Sequence, residues 1–506
     1  VLVLGVFLRF YTHSALWLDE ALTVDRSRLP IGEIANSVKH DGAPPLYYYL
    51  LHFWMGIFGT SDLATRSLSG AIGVMTLPVA WQVGNRCGGR MVAWTTLMLT
   101  ASAPFAVYYS TEARMYALVI LLTGCGFLAL HHALATARAG NLIAVAVVTA
   151  ALLYTHYWSL YLVAMVGIYL VGLTIWTRRK ARDPQEWKRP LPALIAMVIG
   201  CLTFVPWLPT FIYQSEHTGT PWSGAANFAA VINAVTGFTD NQGSSSIAGT
   251  NQGRLLALIY LAMSALALFG VGRNERVIEL DLHTQPRARG VSFVVLATLF
   301  AAIAGGLITS SAFSSRYAAV VFLPLILLVA LGTTTLLNIR LRLAVVAVAV
   351  IAGLVGSVQN ISTQRTQAPQ VAAVLNTHAE AGDIIAFCPD QLGPSVYRVT
   401  AHSSRYDMVT FPRGTGPELV NWVNYEQVVH AASPTAFAAK LVADAGSRHR
   451  IWLVWQPGYQ TYGVKCETLA STLLGDADLG GHNWITNNGA KYYEPMNLTE
   501  YAPSRK

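Results

Sequence analysis

Apolar stretches long enough to cross a bilayer recur through the first two-thirds of this chain, and no other feature restricts its fold so strongly. In hydrocarbon every backbone polar group must be satisfied internally, so a chain of such stretches becomes a bundle of helices. Runs of spanning length fall at 1–16, 64–84, 91–109, 115–137, 141–157, 159–177, 191–210, 254–272, 290–310, 317–337 and 343–358. They predict a polytopic α-helical membrane protein with about eleven transmembrane helices. Only 12% of all residues are charged, against about 25% in soluble domains, and the mean hydropathy is +0.43. Residues 1–16 also have the apolar character of a signal peptide. No small-residue cleavage site precedes the acids that follow, so the run is read as a first spanning helix with its N-terminal end cut short.

One apolar segment needs separate treatment. Residues 46–59 make a run too short to span, and runs of about 10–14 residues are more often interfacial or re-entrant. If it does not cross, fifteen basic residues share one side, in the loops at 86–90, 138, 178–189, 273–289 and 338–342. Six fall opposite: Arg26, Arg28, Lys39, Arg66, Arg114 and Arg316. The positive-inside rule makes the richer side cytoplasmic. This reading lays 46–59 along the outer face as a juxtamembrane segment and makes 17–63 the first outer loop. The net charge of +8 is then a topology signal, and a nucleic-acid partner is not indicated.

Residues 359–506 are more polar and contain no run of spanning length. Segments 383–388 and 450–455 read as buried strands, and 369–381 and 434–446 as amphipathic helices. The alternation predicts a C-terminal extracytoplasmic α/β domain with a largely parallel sheet, following a transmembrane catalytic domain over 1–358. It has no phosphate-cradling glycine motif. Cys388 and Cys466 would share an oxidising compartment, which leaves a disulfide between them open. Cys87, Cys125 and Cys201 read as packing residues.

Acids beside a spanning helix cost free energy unless they have a task. Asp19 and Glu20 follow Trp17 at the end of the first apolar run, and Asp41 precedes Pro44-Pro45. A carboxylate there suits a general base that takes a proton from an alcohol; Asp41 suits a turn equally well. Glu112 and Arg114 lie between two spans, and Arg316 opens another, all on the outer side. Arginine donors match phosphate oxygens, while a local ion pair or a snorkelling side chain explains these residues more simply. In the loop 211–253, Glu216, His217, Trp222 and Asp240 are candidates for an acceptor groove. No group of residues has metal-ligand spacing, so no metal site and no cofactor is assigned; a divalent cation is not indicated.

The acidic pair after the first span, the Asp41-x-x-Pro44-Pro45-Leu46-Tyr47-Tyr48 segment and the Tyr109-Ser110-Thr111-Glu112-Ala113-Arg114-Met115-Tyr116-Ala117 stretch resemble the GT-C superfamily of membrane glycosyltransferases. The likeness is to the protein-mannosyltransferase branch (glycosyltransferase family 39) and the lipid A aminoarabinose transferase. It covers the first 120 residues and the Ser315-Arg316-Tyr317 opening of a later helix. One departure is Gly42-Ala43 where relatives often carry a basic residue before Pro-Pro. The resemblance implies a polyprenyl-phosphate-sugar donor and inverting transfer of a sugar, mannose first, to a glycan, lipoglycan or protein hydroxyl outside the plasma membrane. Asp19 takes the base position, with Glu20 supporting it and Asp41 as a second acid. Glu112, Arg114, Arg316, Tyr47 and Tyr317 fall at positions for the donor phosphate or substrate. Arabinofuranosyl or other pentosyl transfer from the same donor class is one alternative. A lipid or solute transporter is another, which would favour midplane acids and repeated halves.

Overall fold

The computed structural model describes residues 1–180, 190–219, 229–240, 250–308 and 314–503. Arg182, Lys188, Arg189 and Trp222 lie outside the described residues. Among those described, eight helices are long and apolar enough to cross a membrane, and Ala139–Thr155 is a shorter apolar helix.

The expected count of eleven is not reproduced, and the clearest departure is at the N-terminus. Residues 1–16 do not form one spanning helix; only Leu2–Leu8 is helical. The cause is Arg9, which is buried and donates to the carbonyls of Gly5, Ala101 and Thr100 at 2.6–3.1 Å. Beyond it the backbone leaves the helix, and the Ser14 and Ala15 carbonyls accept from Arg66. The segment Asp62–Ser102 is two helices that part at the non-helical Gly88–Gly89, between the expected runs 64–84 and 91–109. Gly89 has φ +75°, and a Cβ on Gly84 would lie 2.7 Å from the Ala93 backbone, so the two arms pack at close range. The expected run 91–109 is broken at Ala103, where Pro104–Ser110 starts a separate helix.

The helices have two distinct ends. Ala319–Thr333 begins next to Arg316, and its far end places Leu331 against Gly88, while Gly272 lies against Thr335. The basic loops at 86–90, 273–289 and 338–342 therefore gather at the end opposite Arg316. At the Arg316 end stand three short helices, Leu18–Arg28, Ile31–Val38 and Leu46–Phe58. The last has 13 residues, about 20 Å of helix and well short of a hydrocarbon core.

After the helix Ile339–Ser362 the tail builds a five-stranded sheet. Its strands are β1 (Ile384–Cys388), β2 (Asp407–Thr410), β3 (Ile451–Trp455), β4 (Leu479–Ile485) and β5 (Asn497–Pro503). The order is β2-β1-β3-β5-β4. β1 pairs parallel with β2 and β3, whereas β5 is antiparallel to both β3 and β4. The sheet is thus mixed where a largely parallel one was expected. β1 is buried throughout, as a strand covered on both faces must be. Cys388 at its end is joined to Cys466 by a disulfide, tying β1 to the helix Lys465–Leu474.

The tail and the short helices share one core. Trp17, Leu18 and Leu22 pack in the same apolar cluster as Ile384, Trp422 and Leu453. Polar links reinforce this seam: Arg26 donates to Val420 O at 2.9 Å, and Arg398 pairs with Asp62 at 3.2 Å.

Candidate active site

A cavity of about 520 Å³ lies between the helix ends and the tail, within the roughly 300–1,000 Å³ range of small-molecule sites. The sequence candidates divide sharply over it. Asp19, Asp41, Arg114, Arg316 and Tyr317 line it; Glu20, Glu112 and Tyr47 do not.

Asp19 is held by the first turn of Leu18–Arg28. Its Oδ2 accepts from Arg316 Nη1 at 2.8 Å, and Arg114 Nη2 lies 3.9 Å from the same oxygen. Arg114 is steadied by donating to Thr23 Oγ1 at 2.9 Å, one helical turn from Asp19. The Nε atoms of both arginines have no hydrogen-bond partner among the described residues. These two Nε atoms are buried, so neither guanidinium is fully engaged by Asp19, and an Asp with two arginines lines the cavity.

Asp41 stands in the wall, accepting from Tyr48 Oη at 2.5 Å with Arg26 at 3.4 Å. These partners fix its direction and consume part of its acceptor capacity. Tyr317 shares the wall with His156, whose ring lies 5.6 Å away. Burial pushes the His156 imidazole down to about 3, with Arg114 and Arg316 adding to the effect, so this ring is neutral at physiological pH.

Glu20 is only one residue from Asp19 but faces the other way. It is fully buried and takes a bidentate pair from Arg66, Nε at 2.7 Å and Nη2 at 2.5 Å. Ala113 N–H donates to it at 2.9 Å, and Arg365 approaches to 3.5 Å. Burial pushes its carboxyl up, but Arg66, Arg365 and the Ala113 N–H outweigh that and hold it below the usual carboxylate value. Glu20, expected to support Asp19, lies outside the cavity lining with its carboxylate fully engaged.

Glu112 is also buried behind the cavity, and neither oxygen has a hydrogen-bond partner among the described residues. Desolvation pushes it up to about 7, against the pull of Arg365 and with Glu20 and Asp19 adding to the rise. Tyr47 Oη bonds Ser69 Oγ at 2.7 Å in the core. Of the proposed groove residues, His217 meets Asn424 of the tail at 3.0 Å, and Asp240 accepts from Thr250. Among the described residues no His, Cys, Asp or Glu group could hold a metal ion.

Two structural arginines were missed by sequence reasoning. Arg66 was counted only as a topology residue, although a charge inside an apolar run was the available signal. Arg365 donates to Thr111 O and Oγ1 at 2.9 and 2.7 Å and lies over the Tyr108 ring at 4.3 Å. The tail was missed as well: Glu494 and Tyr493 line the cavity beside Asp19, and Glu494 accepts from Leu18 N–H at 3.2 Å.

A helical membrane body, short helices at one end and an acid–arginine cavity under a mixed-sheet tail make up the fold, and this chain resembles the GT-C superfamily of membrane glycosyltransferases. Residues 42–209 match the family described as dolichyl-phosphate-mannose-protein mannosyltransferase. Among solved structures the chain is similar to ArnT from Cupriavidus metallidurans. With ArnT bound to undecaprenyl phosphate it shares 13% identity over 100% of this chain and 98% of that one, at a TM-score of 0.58. With apo ArnT it shares 15% identity over 98% and 96%, at 0.59. The oligosaccharyltransferase of Archaeoglobus fulgidus, in complex with Zn and sulfate, is similar at 11% identity over 97% of this chain and 73% of that one, at 0.50. No curated protein sequence matches the chain.

Proposed function

We propose that this protein is an integral plasma-membrane glycosyltransferase that moves a sugar, mannose first, from a polyprenyl-phosphate donor to an acceptor hydroxyl at the outer face. The observation that carries the reading is the Asp19 carboxylate set 2.8 Å from Arg316 and 3.9 Å from Arg114 in one cavity. The excess of basic residues at the end opposite the cavity supports the outward orientation. The catalytic unit is the helical body, 1–358, with 359–506 as an extracytoplasmic domain above it.

In this reading the donor phosphate engages the Arg316 and Arg114 guanidiniums and weakens their hold on Asp19. The acceptor oxygen attacks the anomeric carbon from the face opposite the phosphate, and its proton passes to an Asp19 oxygen. The anomeric C–O bond to phosphate breaks, its electron pair leaves with the polyprenyl phosphate, and the configuration inverts. The leaving group is already anionic, so stabilisation by preorganised cations is the largest contribution and a strong general acid is unnecessary. Asp41, fixed by Tyr48, orients the acceptor or the donor sugar. Glu20 acts from behind, holding the Asp19 helix against the segment that carries Arg114 by accepting from the Ala113 N–H.

The test is incubation of the purified protein with polyprenyl-phosphate mannose, arabinofuranose and other sugars, scoring release of polyprenyl phosphate. Release with one sugar is expected and names it, so that pentose transfer is read out directly. No release with any donor, with the protein folded, would refute the assignment.

A further inference from the structure

The two halves of the cavity wall differ in chemistry. The helical half supplies every charge of the lining but one, from Asp19, Asp41, Arg114 and Arg316, and also carries the rings of Tyr116, Trp158 and Tyr317. The tail half is built of amides and aromatic rings: Gln391, Gln456, Gln460, Trp422, Tyr459 and Tyr493, with Glu494 its one formal acid. Tyr493 lies in this wall and is 45% exposed. Trp17 holds it edge-on at 5.0 Å.

The position of this half follows from the sheet. Gln391 lies in the segment after β1, Trp422 in the segment after β2, and Gln456, Tyr459 and Gln460 in the loop after β3. These three strands are mutually parallel, so all three deliver the loops at their carboxyl ends to the same place. In open α/β sheets that edge is where ligands bind. A polar network behind the wall orients one of the amides. Tyr425 and Tyr462 both donate to the buried Asp390 carboxylate, and Gln391 Nε2 then donates to Tyr425 Oη at 3.1 Å. With its N–H so engaged, Gln391 is fixed in orientation, and its buried Oε1 has no hydrogen-bond partner among the described residues.

We infer that the carboxyl edge of the tail sheet is a carbohydrate-binding subsite that seats a neutral glycan as the acceptor. Amides and phenols both donate and accept, as sugar hydroxyls require, and aromatic faces cover the C–H faces of a sugar ring. A peptide acceptor would call for an open sheet edge or a backbone-binding groove, but the edge strands β2 and β4 do not line the cavity. A charged acceptor would find almost no counter-charge on this half. The inference rests on the proposed glycosyltransferase activity for the word acceptor, but not for binding itself.

The test uses the full chain purified in detergent, without donor. Mannotriose, arabinotriose and galactotriose are probed by saturation-transfer NMR, with an octapeptide rich in serine and threonine alongside. At least one trisaccharide is expected to bind through its ring C–H protons. Tyr493→Ala and Gln460→Ala should each weaken it about tenfold, whereas Tyr493→Phe keeps the ring and most of the affinity. Binding of the peptide and of no trisaccharide overturns the inference, as does trisaccharide binding unchanged in both alanine variants. Undecaprenyl phosphate binding, measured on the same preparations, separates the two readings. Phosphate lipid bound with no sugar bound defeats the subsite and spares the enzyme. Sugar bound with no donor turned over defeats the enzyme and spares the subsite.

Discussion

Asp19 and Glu20 are neighbours in sequence and opposites in setting. Glu20 has a bidentate arginine, a second arginine and a backbone N–H and is closed to solvent. Asp19 has one close arginine and one distant one, and its side chain is 16% exposed. Both clusters are acid–arginine pairs, so charge alone does not tell them apart. What separates them is saturation of the carboxylate and access: Glu20 is fully engaged away from the cavity, while Asp19 is more loosely held and lines it. A saturated buried pair holds structure and an unsaturated one at a cavity wall can bind and react.

Substitutions should break that contrast in opposite ways. The largest expected effect is Asp19→Asn, which removes the proposed base without changing shape: transfer should fall about 10³-fold with donor binding retained, measured by turnover and lipid binding on one preparation. Near-normal turnover would rule Asp19 out as the base. Next comes Arg316→Lys, which keeps the charge and loses the fork of donors; kcat/KM should drop about 10²-fold. Arg66→Leu acts on the other cluster. It leaves Glu20 buried without its main partner and should cost about 3 kcal/mol, read as a lowered unfolding midpoint, with any folded fraction still turning over donor. The smallest effect is Glu112→Gln. An acid whose folded pKa is raised to about 7 loses stability as pH rises through that value, because the folded state must then hold an uncompensated charge. The variant should therefore exceed the parent by about 1 kcal/mol at pH 9 and converge with it at pH 5. A gap of the same size at pH 5 would contradict this account. Glu20 has the reverse sign: its carboxyl is held low, so its contribution is lost as pH falls below about 4.

The site was legible in the sequence where a local conflict existed. Asp19 stood out because acids follow an apolar run, and Arg114 and Arg316 because lone cations sit at span ends. Pairings across long separations left no such trace. Nothing near Arg365 announces that it meets Glu20 and Thr111, and nothing near Glu494 announces Leu18. Hydropathy was also blind to Arg9: residues 1–16 look like a span until that side chain is seen bonding a carbonyl of its own helix and those of Thr100 and Ala101. Residues 46–59 were judged by length, and they form a helix of 13 residues that length excludes from the spans.

The bond between Leu18 N–H and Glu494, together with Arg365 reaching Glu20 and Thr111, has a consequence for how such a protein can change. The ceiling of the chamber and its floor are stitched by the same few contacts, so the tail is not a detachable cartridge. A chimera that exchanged the tail just after Ser362 would discard Arg365 and Glu494 while keeping their partners, and it would loosen the hold on the Asp19 helix. New acceptor preferences are open instead to substitution in the loops after β1 and β3, which face the chamber without carrying those stitches.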